Sequence, residues 1–306
     1  MSSKCRRPLH NRVLAEDFVD NILSLDSGRD SAVTSIIENE TTLAELESHP
    51  TICFEDYRVG NYRANKDRKV LHDKILGELI TFERIQNDDE IALGSGGARP
   101  AVVRQDAQAY IVSGPPASGK SSIATRLADE TGAYILDSDY AKRKFPEFES
   151  DGGASLVHEE SDCIVFSSET NLFEYCVYNR NNMVIPLVGK SVESFEKIIC
   201  KLLDSGYELH ILNICLDRYE CVRRAFQRFT KTKRYVPLSY IFDEVGNEPE
   251  RVYFLIKRKY SNQPHFLSFS QISTDVKKDM PNIVLEASDK SPIIGWKDLD
   301  WTRRLK

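Results

Sequence analysis

The sequence predicts an α/β protein with a mainly parallel sheet, helices on both faces of the sheet, and a helical region ahead of it. Short apolar runs rich in β-branched residues alternate with helical patterns from residue 110 onward. A glycine-rich turn joins the first of these runs to a helix. The earlier part of the chain shows helical spacing of apolar residues. Strand–helix alternation of this kind is typical of parallel sheets that are covered on both faces.

Composition and charge limit the classes of function. The chain has 306 residues, of which 41% are hydrophobic and 29% charged, as in ordinary globular proteins. Its net charge of −6 gives no global reason to expect nucleic acid or an anionic membrane as a partner. No apolar run approaches the length of a membrane span, and the first residues lack the apolar core of a signal peptide.

The cysteines indicate a reducing compartment. There are seven, scattered along the chain without a C-x-x-C pair, and several lie in apolar segments. Such cysteines are typical of reduced thiols in the cytosol. We therefore expect a cytoplasmic protein, and the sequence leaves delivery into another cell open.

The region before residue 100 is predicted to be mainly helical. Residues 1–60 carry no chemical motif, and we interpret them as a packing element or as a regulatory module that lies over the active site. Residues 68–80 are predicted to form an amphipathic helix, and the glycine-rich residues 94–100 a connector. The predicted division is therefore a helical region at 1–60, a helix and connector at 61–100, and the main domain at 101–306.

The main domain alternates between strand and helix signals. Strands are predicted at residues 110–113, 133–136, 183–188 and 207–216, with a weaker signal at 283–285, and helices at 122–130, 193–204 and 219–229. Ligands bind outside the carboxyl ends of the strands in such sheets. The residues that follow the strands are therefore the candidates for function.

The turn after the first strand has the pattern of a phosphate-binding loop. Gly114, Gly119, Lys120 and Ser121 match G-x-x-x-x-G-K-[ST] at every position. Main-chain N–H groups and the positive end of the helix dipole favour an anion in this context. Lys120 can reach the terminal phosphates, and Ser121 can offer its hydroxyl to Mg²⁺. We predict a P-loop NTPase-type sheet with a nucleoside triphosphate site formed by Gly114, Pro115, Pro116, Ala117, Ser118, Gly119, Lys120, Ser121 and Ser122.

Two carboxylates follow the second strand, in Asp137-Ser138-Asp139. We interpret Asp139 as the group that accepts the proton of an acceptor hydroxyl. Asp137 is a candidate for holding Mg²⁺ through water or for orienting the acceptor. The same pattern is typical of a helix N-cap, and capping is compatible with catalysis.

A basic cluster follows the fourth strand, although the chain as a whole is acidic. Arginines stabilise the charge that develops in phosphoryl transfer, and we expect Arg228 and Arg234 to point into the site. Part of the cluster is expected to be a solvated face. Its members are Arg223, Arg224, Arg228, Lys231, Lys233 and Arg234.

Two further stretches, residues 142–144 and 158–160, are candidates for lining the acceptor pocket. Arg143 can clamp a phosphate of the acceptor through two parallel hydrogen bonds, or it lies on a surface helix. Glu159 is the candidate for acceptor binding in the second stretch.

Together these motifs resemble the zeta-toxin family of phosphate-loop kinases. The phosphate loop alone is shared by many NTPases, whereas its combination with Asp-x-Asp and the later arginines is more specific. The resemblance covers residues 68–237, and it is carried by the loop, Asp137-Ser138-Asp139, His158-Glu159-Glu160-Ser161, Leu187-Val188-Gly189-Lys190-Ser191, Arg228 and Arg234-Tyr235-Val236-Pro237.

The resemblance implies a kinase that uses ATP or GTP together with Mg²⁺. It places Lys120 on phosphate, Asp139 as the acceptor base, and Arg228 and Arg234 on the triphosphate. The best-known members of the family phosphorylate the amino-sugar 3′-hydroxyl of UDP-N-acetylglucosamine and act as toxins. A related effector-type branch phosphorylates NAD. We favour UDP-N-acetylglucosamine as the acceptor and keep two alternatives, namely NAD and an NTPase or nucleotide switch without a small acceptor.

The chain departs from the well-known members in two places. Their third strand ends in a glutamate that contacts the amino sugar, whereas Pro186 stands in this strand here, and the spacing between Arg228 and Arg234 is short. Both departures concern the acceptor rather than the kinase chemistry. Some members are held inactive by a helical antitoxin, occasionally fused in cis, and residues 1–50 are a candidate for such a module.

Overall fold

The computed structural model describes residues 6–232, 234–277, 280, 282–294 and 296. The α-helices in these residues are α1 (Arg12–Phe18), α2 (Arg29–Leu46), α3 (Asn65–Thr81), α4 (Lys120–Thr131), α5 (Ser138–Lys142), α6 (Gly153–Leu156), α7 (His158–Asp162), α8 (Leu172–Tyr178), α9 (Val192–Asp204), α10 (Arg218–Thr232) and α11 (Glu248–Tyr260). The strands are β1 (Gln108–Ser113), β2 (Tyr134–Ile135), β3 (Met183–Leu187), β4 (Glu208–Cys215), β5 (Phe266–Ser273) and β6 (Ile283–Ala287). None of the described helices is long and apolar enough to cross a membrane.

The six strands form one sheet in the order β2-β3-β1-β4-β5-β6. The pairs β1–β3, β1–β4 and β4–β5 are parallel, and β6 pairs antiparallel with β5. Ile111 at the centre of β1 lies opposite Ile185 of β3 and Ile211 of β4. The predicted fold class, a mainly parallel α/β sheet with a helical N-terminal region, is confirmed.

Strand β1 lies in the core of the sheet. Ala109, Ile111 and Val112 are completely buried, and Tyr110 is nearly so. Because successive side chains of a strand point to opposite faces, burial of consecutive residues means that both faces are covered. The phosphate loop therefore follows a strand that is covered on both faces and paired with a strand on each side.

The described residues divide into two compact units. The first comprises Met1–Arg7, Asp106–Glu130 and Met183–Lys306, as far as these are described, and contains five of the strands, β1 and β3 to β6. The second comprises Pro8–Gln105 and Thr131–Asn182 and contains α1 to α3, α5 to α8 and β2. The predicted division at residues 60 and 100 stays a prediction.

A buried ionic network lies inside the second unit. Arg68 on α3 donates from Nη1 to Glu147 Oε1 at 2.8 Å and from Nε to Glu160 Oε2 at 2.7 Å. The side chains of these three residues are at most 3% exposed. Burial alone would raise the pKa of Glu160, but hydrogen bonds from His72 and Arg68 hold it below the usual range. Pairing of this kind is what makes the burial of charge tolerable.

The segment after α2 belongs to the same packed structure. Arg58, whose side chain is 4% exposed, donates from Nε to the Thr51 carbonyl at 2.6 Å and from Nη1 to Asn65 Oδ1 at 2.8 Å. Thr51 donates its hydroxyl to the Leu156 carbonyl at 3.0 Å. The polypeptide ahead of α3 is thus hydrogen-bonded to α6, although more than 100 residues separate Thr51 from Leu156.

Candidate active site

The turn between β1 and α4 lies at the carboxyl end of a buried strand. Gly114 passes so close to β4 that a Cβ there would lie 2.8 Å from the Ile214 carbonyl oxygen. Ala117 and Gly119 have φ values of 61° and 84°, in the left-handed region. Glycine adopts this region at little cost, which explains the second glycine of the motif.

Lys120, the first residue of α4, folds back onto this turn. Its Nζ lies 2.7 Å from the carbonyl oxygens of both Gly114 and Pro115. Ser121 and Ser122 follow in the first turn of the helix and are exposed. The ammonium group, the helix N-terminus and the hydroxyl of Ser121 therefore come together at one edge of the sheet, as an anion site requires.

Helix α10 begins at the same edge of the sheet. It starts at Arg218, just after β4, which is the parallel neighbour of β1. Burial raises the pKa of the Cys221 thiol in this helix to about 12, and the positive charges of Lys120 and Arg224 oppose that rise. The first turns of α10 thus share the electrostatic environment of Lys120.

The two predicted triphosphate arginines lie near the end of α10. Arg228 is exposed on the helix, and Arg234 is half-buried just beyond it. Thr232 connects them, because its hydroxyl donates to the Arg228 carbonyl at 3.0 Å and accepts from the Arg234 N–H at 3.3 Å. Lys233, also assigned to the basic cluster, lies outside the described residues.

In the second unit, the carboxylates after β2 form the start of α5. Asp137 is the N-cap, and its Oδ1 accepts from the Asp139 N–H at 2.9 Å. The capping interpretation is confirmed for Asp137. The side chain of Asp139 is 62% exposed, and its Oδ1 lies 2.8 Å from Nζ of Lys142 on the next turn.

The charges around Asp139 lower the pKa of its carboxylate. Crowding by neighbouring protein atoms would by itself raise the pKa of Asp139. The positive charge and hydrogen bond of Lys142, together with Arg143 and His158, outweigh this and place the pKa below its usual range. Burial lowers the pKa of His158, and the charge of Lys142 lowers it further.

Arg143 and Glu159, the other candidates for acceptor binding, have different surroundings. The side chain of Arg143 is only 11% exposed, and its Nη1 donates to Asp89 Oδ1 at 2.9 Å. Its guanidinium carbon lies 5.8 Å from the centre of the Phe148 ring. Glu159 on α7 is exposed.

Two further residues that were predicted to line the acceptor pocket, Lys144 and Glu160, are buried. Lys144 is 1% exposed, and its Nζ donates to Glu78 Oε2 at 2.8 Å and to the carbonyls of Ala92 and Ser95. Glu160 is enclosed in the ionic network with Arg68. Both side chains are thus enclosed among protein partners, and their role in lining an acceptor pocket stays a prediction.

The pairing of Lys142 with Asp139 was missed in the sequence. The two residues are three positions apart, a spacing at which side chains meet on a helix. The D-x-x-K pattern was therefore the signal that predicts this ion pair. Its recognition depended on placing a helix directly after the second strand.

A buried strand, a glycine-rich phosphate loop and a helix, set in a mainly parallel sheet, define an α/β protein of the P-loop class. The family model for zeta toxin matches residues 98–261, more than half of the chain. The chain belongs to the zeta-toxin family and has the zeta-toxin-like kinase fold.

Several solved structures are similar to this chain. The PezAT chromosomal toxin–antitoxin system of Streptococcus pneumoniae aligns at 13% identity over 78% of this chain and 89% of the other, with a TM-score of 0.46. AvrRxo1-ORF1:-ORF2 with ATP aligns at 16% identity over 74% and 69%, with a TM-score of 0.47. A gluconokinase from Sinorhizobium meliloti 1021 aligns at 15% identity over 56% and 86%, with a TM-score of 0.32. No curated protein sequence matches the chain.

Proposed function

We propose that this protein is a kinase that transfers the γ-phosphate of ATP or GTP to a hydroxyl group of a nucleotide-containing metabolite. The observation that carries the proposal is the loop of residues 114–119 with Lys120 folded over it, in a member of the zeta-toxin family. A loop of main-chain N–H groups together with a lysine is suited to binding phosphate.

The residues of the first unit serve the nucleotide in this proposal. Lys120 exchanges its two carbonyl partners for phosphate oxygens, and the N-terminus of α4 adds partial positive charge. The hydroxyl of Ser121 would hold Mg²⁺, and the ion would neutralise charge on the phosphates. Arg228 and Arg234 stabilise the charge that develops on the transferred group.

Asp139 serves the acceptor. Its exposed, ionised carboxylate accepts the proton of the acceptor hydroxyl as the acceptor oxygen bonds to the γ-phosphorus. The bond between that phosphorus and the bridging oxygen breaks, and ADP or GDP leaves. Asp137, Arg143 and Glu159 orient the acceptor from the same unit.

UDP-N-acetylglucosamine is the favoured acceptor, and its phosphorylation would make the protein a toxin. NAD is the second candidate, and Pro186 is the observation that weighs against the amino sugar. Pro186 lies in β3 opposite Val112, where the resemblance predicts a glutamate for the amino sugar. A pyrrolidine ring offers no acceptor to an amide N–H.

The proposal includes a means of inhibition, either a separate antitoxin or the chain's own residues 1–60. A variant that lacks residues 1–50 tests the second possibility. Specific activity is measured per folded molecule, with the folded fraction taken from circular dichroism. Higher activity of the variant supports inhibition in cis, whereas equal activity rules out inhibition in cis.

Product identification tests the proposed reaction. The protein is incubated with labelled ATP or GTP, Mg²⁺ and a metabolite extract, and the labelled product is identified by mass spectrometry. Parallel reactions contain purified UDP-N-acetylglucosamine or purified NAD. A metabolite that carries the labelled phosphate establishes the kinase activity. Release of inorganic phosphate that no metabolite stimulates would instead favour an NTPase or nucleotide switch.

A further inference from the structure

Thr274 connects the end of β5 to the phosphate loop. Its side chain is nearly buried, and its Oγ1 donates to the main-chain carbonyl of Ser118 at 2.8 Å. Its own N–H donates to the Cys215 carbonyl at 3.2 Å, just beyond the last paired residues of β4 and β5. Thr274 is therefore anchored to the sheet through its main chain and to the phosphate loop through its hydroxyl.

The bond to Ser118 fixes the direction of the next amide group. The described chain contains no cis peptide bond. In a planar trans peptide the C=O and the following N–H point in opposite directions. A carbonyl of Ser118 that is directed at Thr274 therefore turns the N–H of Gly119 away from Thr274, toward the opposite side of the loop.

Gly119 itself does not fix this direction. It has a φ of 84°, and a Cβ there would come no closer than 3.7 Å to Thr274 Cγ2. Glycine also permits the backbone rotations by which the Ser118–Gly119 peptide unit would turn over. The hydrogen bond from Thr274 is thus a contact that holds this unit in its observed orientation.

The carbonyl of Thr274 provides a second link, to α10. It accepts from Nη2 of Arg224 at 2.9 Å, and Nε of the same arginine donates to Glu220 at 2.9 Å. Arg228, the predicted triphosphate arginine, lies one helical turn after Arg224. One residue is therefore bonded both to the loop and to the helix that carries Arg228.

We propose that Thr274 is a positioning residue that sets the phosphate loop and α10 in their binding geometry by holding the Ser118 carbonyl and the Arg224 guanidinium. The inference rests on the proposed function, because it requires that the loop binds a triphosphate. Thr274 acts through the Gly119 amide and through α10, and it makes no contact with the reacting atoms.

Binding measurements on hydroxyl variants test this inference. The affinities of the full chain for Mg²⁺–ATP and for inorganic tripolyphosphate are measured by calorimetry, the second ligand reporting on the cradle without a base. Thr274→Val keeps the volume but removes the donor, and we expect about tenfold weaker binding of both ligands, equivalent to one lost hydrogen bond. Thr274→Ser restores the donor and should bind as the natural chain does.

Thr230→Val is the matched control. Thr230 is exposed on α10 and donates its hydroxyl to the Gln227 carbonyl at 2.8 Å, so the same chemical change is made away from the loop. Its affinities should equal those of the natural chain. A merely structural role of Thr274 would lower the melting temperature and the active fraction while leaving the affinity per folded molecule unchanged.

The outcomes separate the two proposals. If the natural chain binds neither ATP, GTP nor tripolyphosphate, the proposed function and this inference both fail. If it binds them and folded Thr274→Val binds equally well, only the inference is overturned. If Thr274→Val does not fold, Arg224→Lys decides, since it keeps the charge but lacks the two separate nitrogens, Nε and Nη2, that bond Glu220 and Thr274. Several-fold weaker tripolyphosphate binding supports the inference, and unchanged binding overturns it.

Discussion

Nζ of Lys142 lies 2.8 Å from the carboxylate of Asp139 across one turn of α5. The lysine side chain is 15% exposed and that of the aspartate 62%, so the partner is held more firmly than the proposed base. This pair lowers the pKa of Asp139 and holds its Oδ1 beside the ammonium group of Lys142. It also makes the proposed chemistry testable through pH.

Replacement of Asp139 by asparagine should abolish phosphoryl transfer. The amide keeps the shape of the side chain but cannot accept the proton, and general bases typically contribute about 10² to 10⁴ in rate. Steady-state kinetics should show that loss in kcat, while the affinity for ATP in a direct binding assay stays nearly unchanged. Asp151→Asn, at an exposed position of the same unit, serves as the control and should retain full activity. Unchanged turnover of Asp139→Asn would rule out Asp139 as the base.

Replacement of Lys142 by glutamine should shift the acidic limb of the pH–rate profile to higher pH. Asp139 acts as a base only when ionised, so activity falls as pH drops through its pKa. Lys142 holds that pKa below the usual range, and removing the positive charge raises it. The measurement is kcat/KM against pH, with exposed Lys66→Gln as the control. Coincident profiles for Lys142→Gln and the natural chain would show that the pair has no influence on the base.

Replacement of Arg68 by methionine should destabilise the second unit by about 3–5 kcal/mol, since it leaves Glu147 and Glu160 buried without their shared cation. Urea denaturation followed by circular dichroism measures the change. The control is Arg12→Met, which breaks an exposed pair with Glu16 and should cost within about 0.5 kcal/mol. Equal stability of the two variants would contradict the assignment of Arg68 as the centre of the network.

The two glycines at positions 153 and 77 should respond to alanine with opposite signs. A Cβ at Gly153 would lie 1.7 Å from the Glu147 carbonyl oxygen, so the main chain must move, and we expect a loss of about 1–3 kcal/mol or more. A Cβ at Gly77, inside α3, meets nothing within 4 Å, and alanine there should add about 0.5–1 kcal/mol. Thermal unfolding of both variants checks the pair. Equal stability of Gly153→Ala and the natural chain would contradict the expectation that a side chain at position 153 displaces the Glu147 carbonyl.

The phosphate loop was predictable because its information is local. The motif, the apolar run before it and the helical pattern after it lie within about 20 residues, and the structure has β1, the turn and α4 there. The strands β3 and β4 were predictable for the same reason. Their apolar residues are contiguous because both faces of the central strands are covered.

Strand β5 was not predicted, because it carries polar residues in a buried position. Ser268 and Ser270 are each 2% exposed and interrupt the apolar run. Their partners are distant in the chain: His210 Nδ1 lies 2.7 Å from the Ser268 hydroxyl, and Ser291 bonds Ser270. Satisfaction of a buried hydroxyl by a residue more than 50 positions away leaves no local pattern to recognise.

The acceptor-side candidates show the same limit. Lys144 and Glu160 look like Lys142 and Glu159 in the sequence, yet the first two are fully buried, whereas Lys142 is half-buried beside the exposed Asp139 and Glu159 is exposed. Which of two neighbouring charges is enclosed depends on Glu78 and Arg68, residues of α3 that lie more than 60 positions earlier. The spacing of charged residues alone does not predict which of the two is buried.

The polypeptide passes between its two units four times, after residues 7, 105, 130 and 182. No single stretch of the gene therefore encodes either unit. A fragment that begins at the first strand carries residues 131–182 of the other unit without the helix that supplies Arg68. Recombination, by evolution or in the laboratory, would therefore have to exchange nearly the whole chain. Shorter fragments would lack part of each unit, and we expect them to be degraded by cellular proteases rather than to act as enzymes.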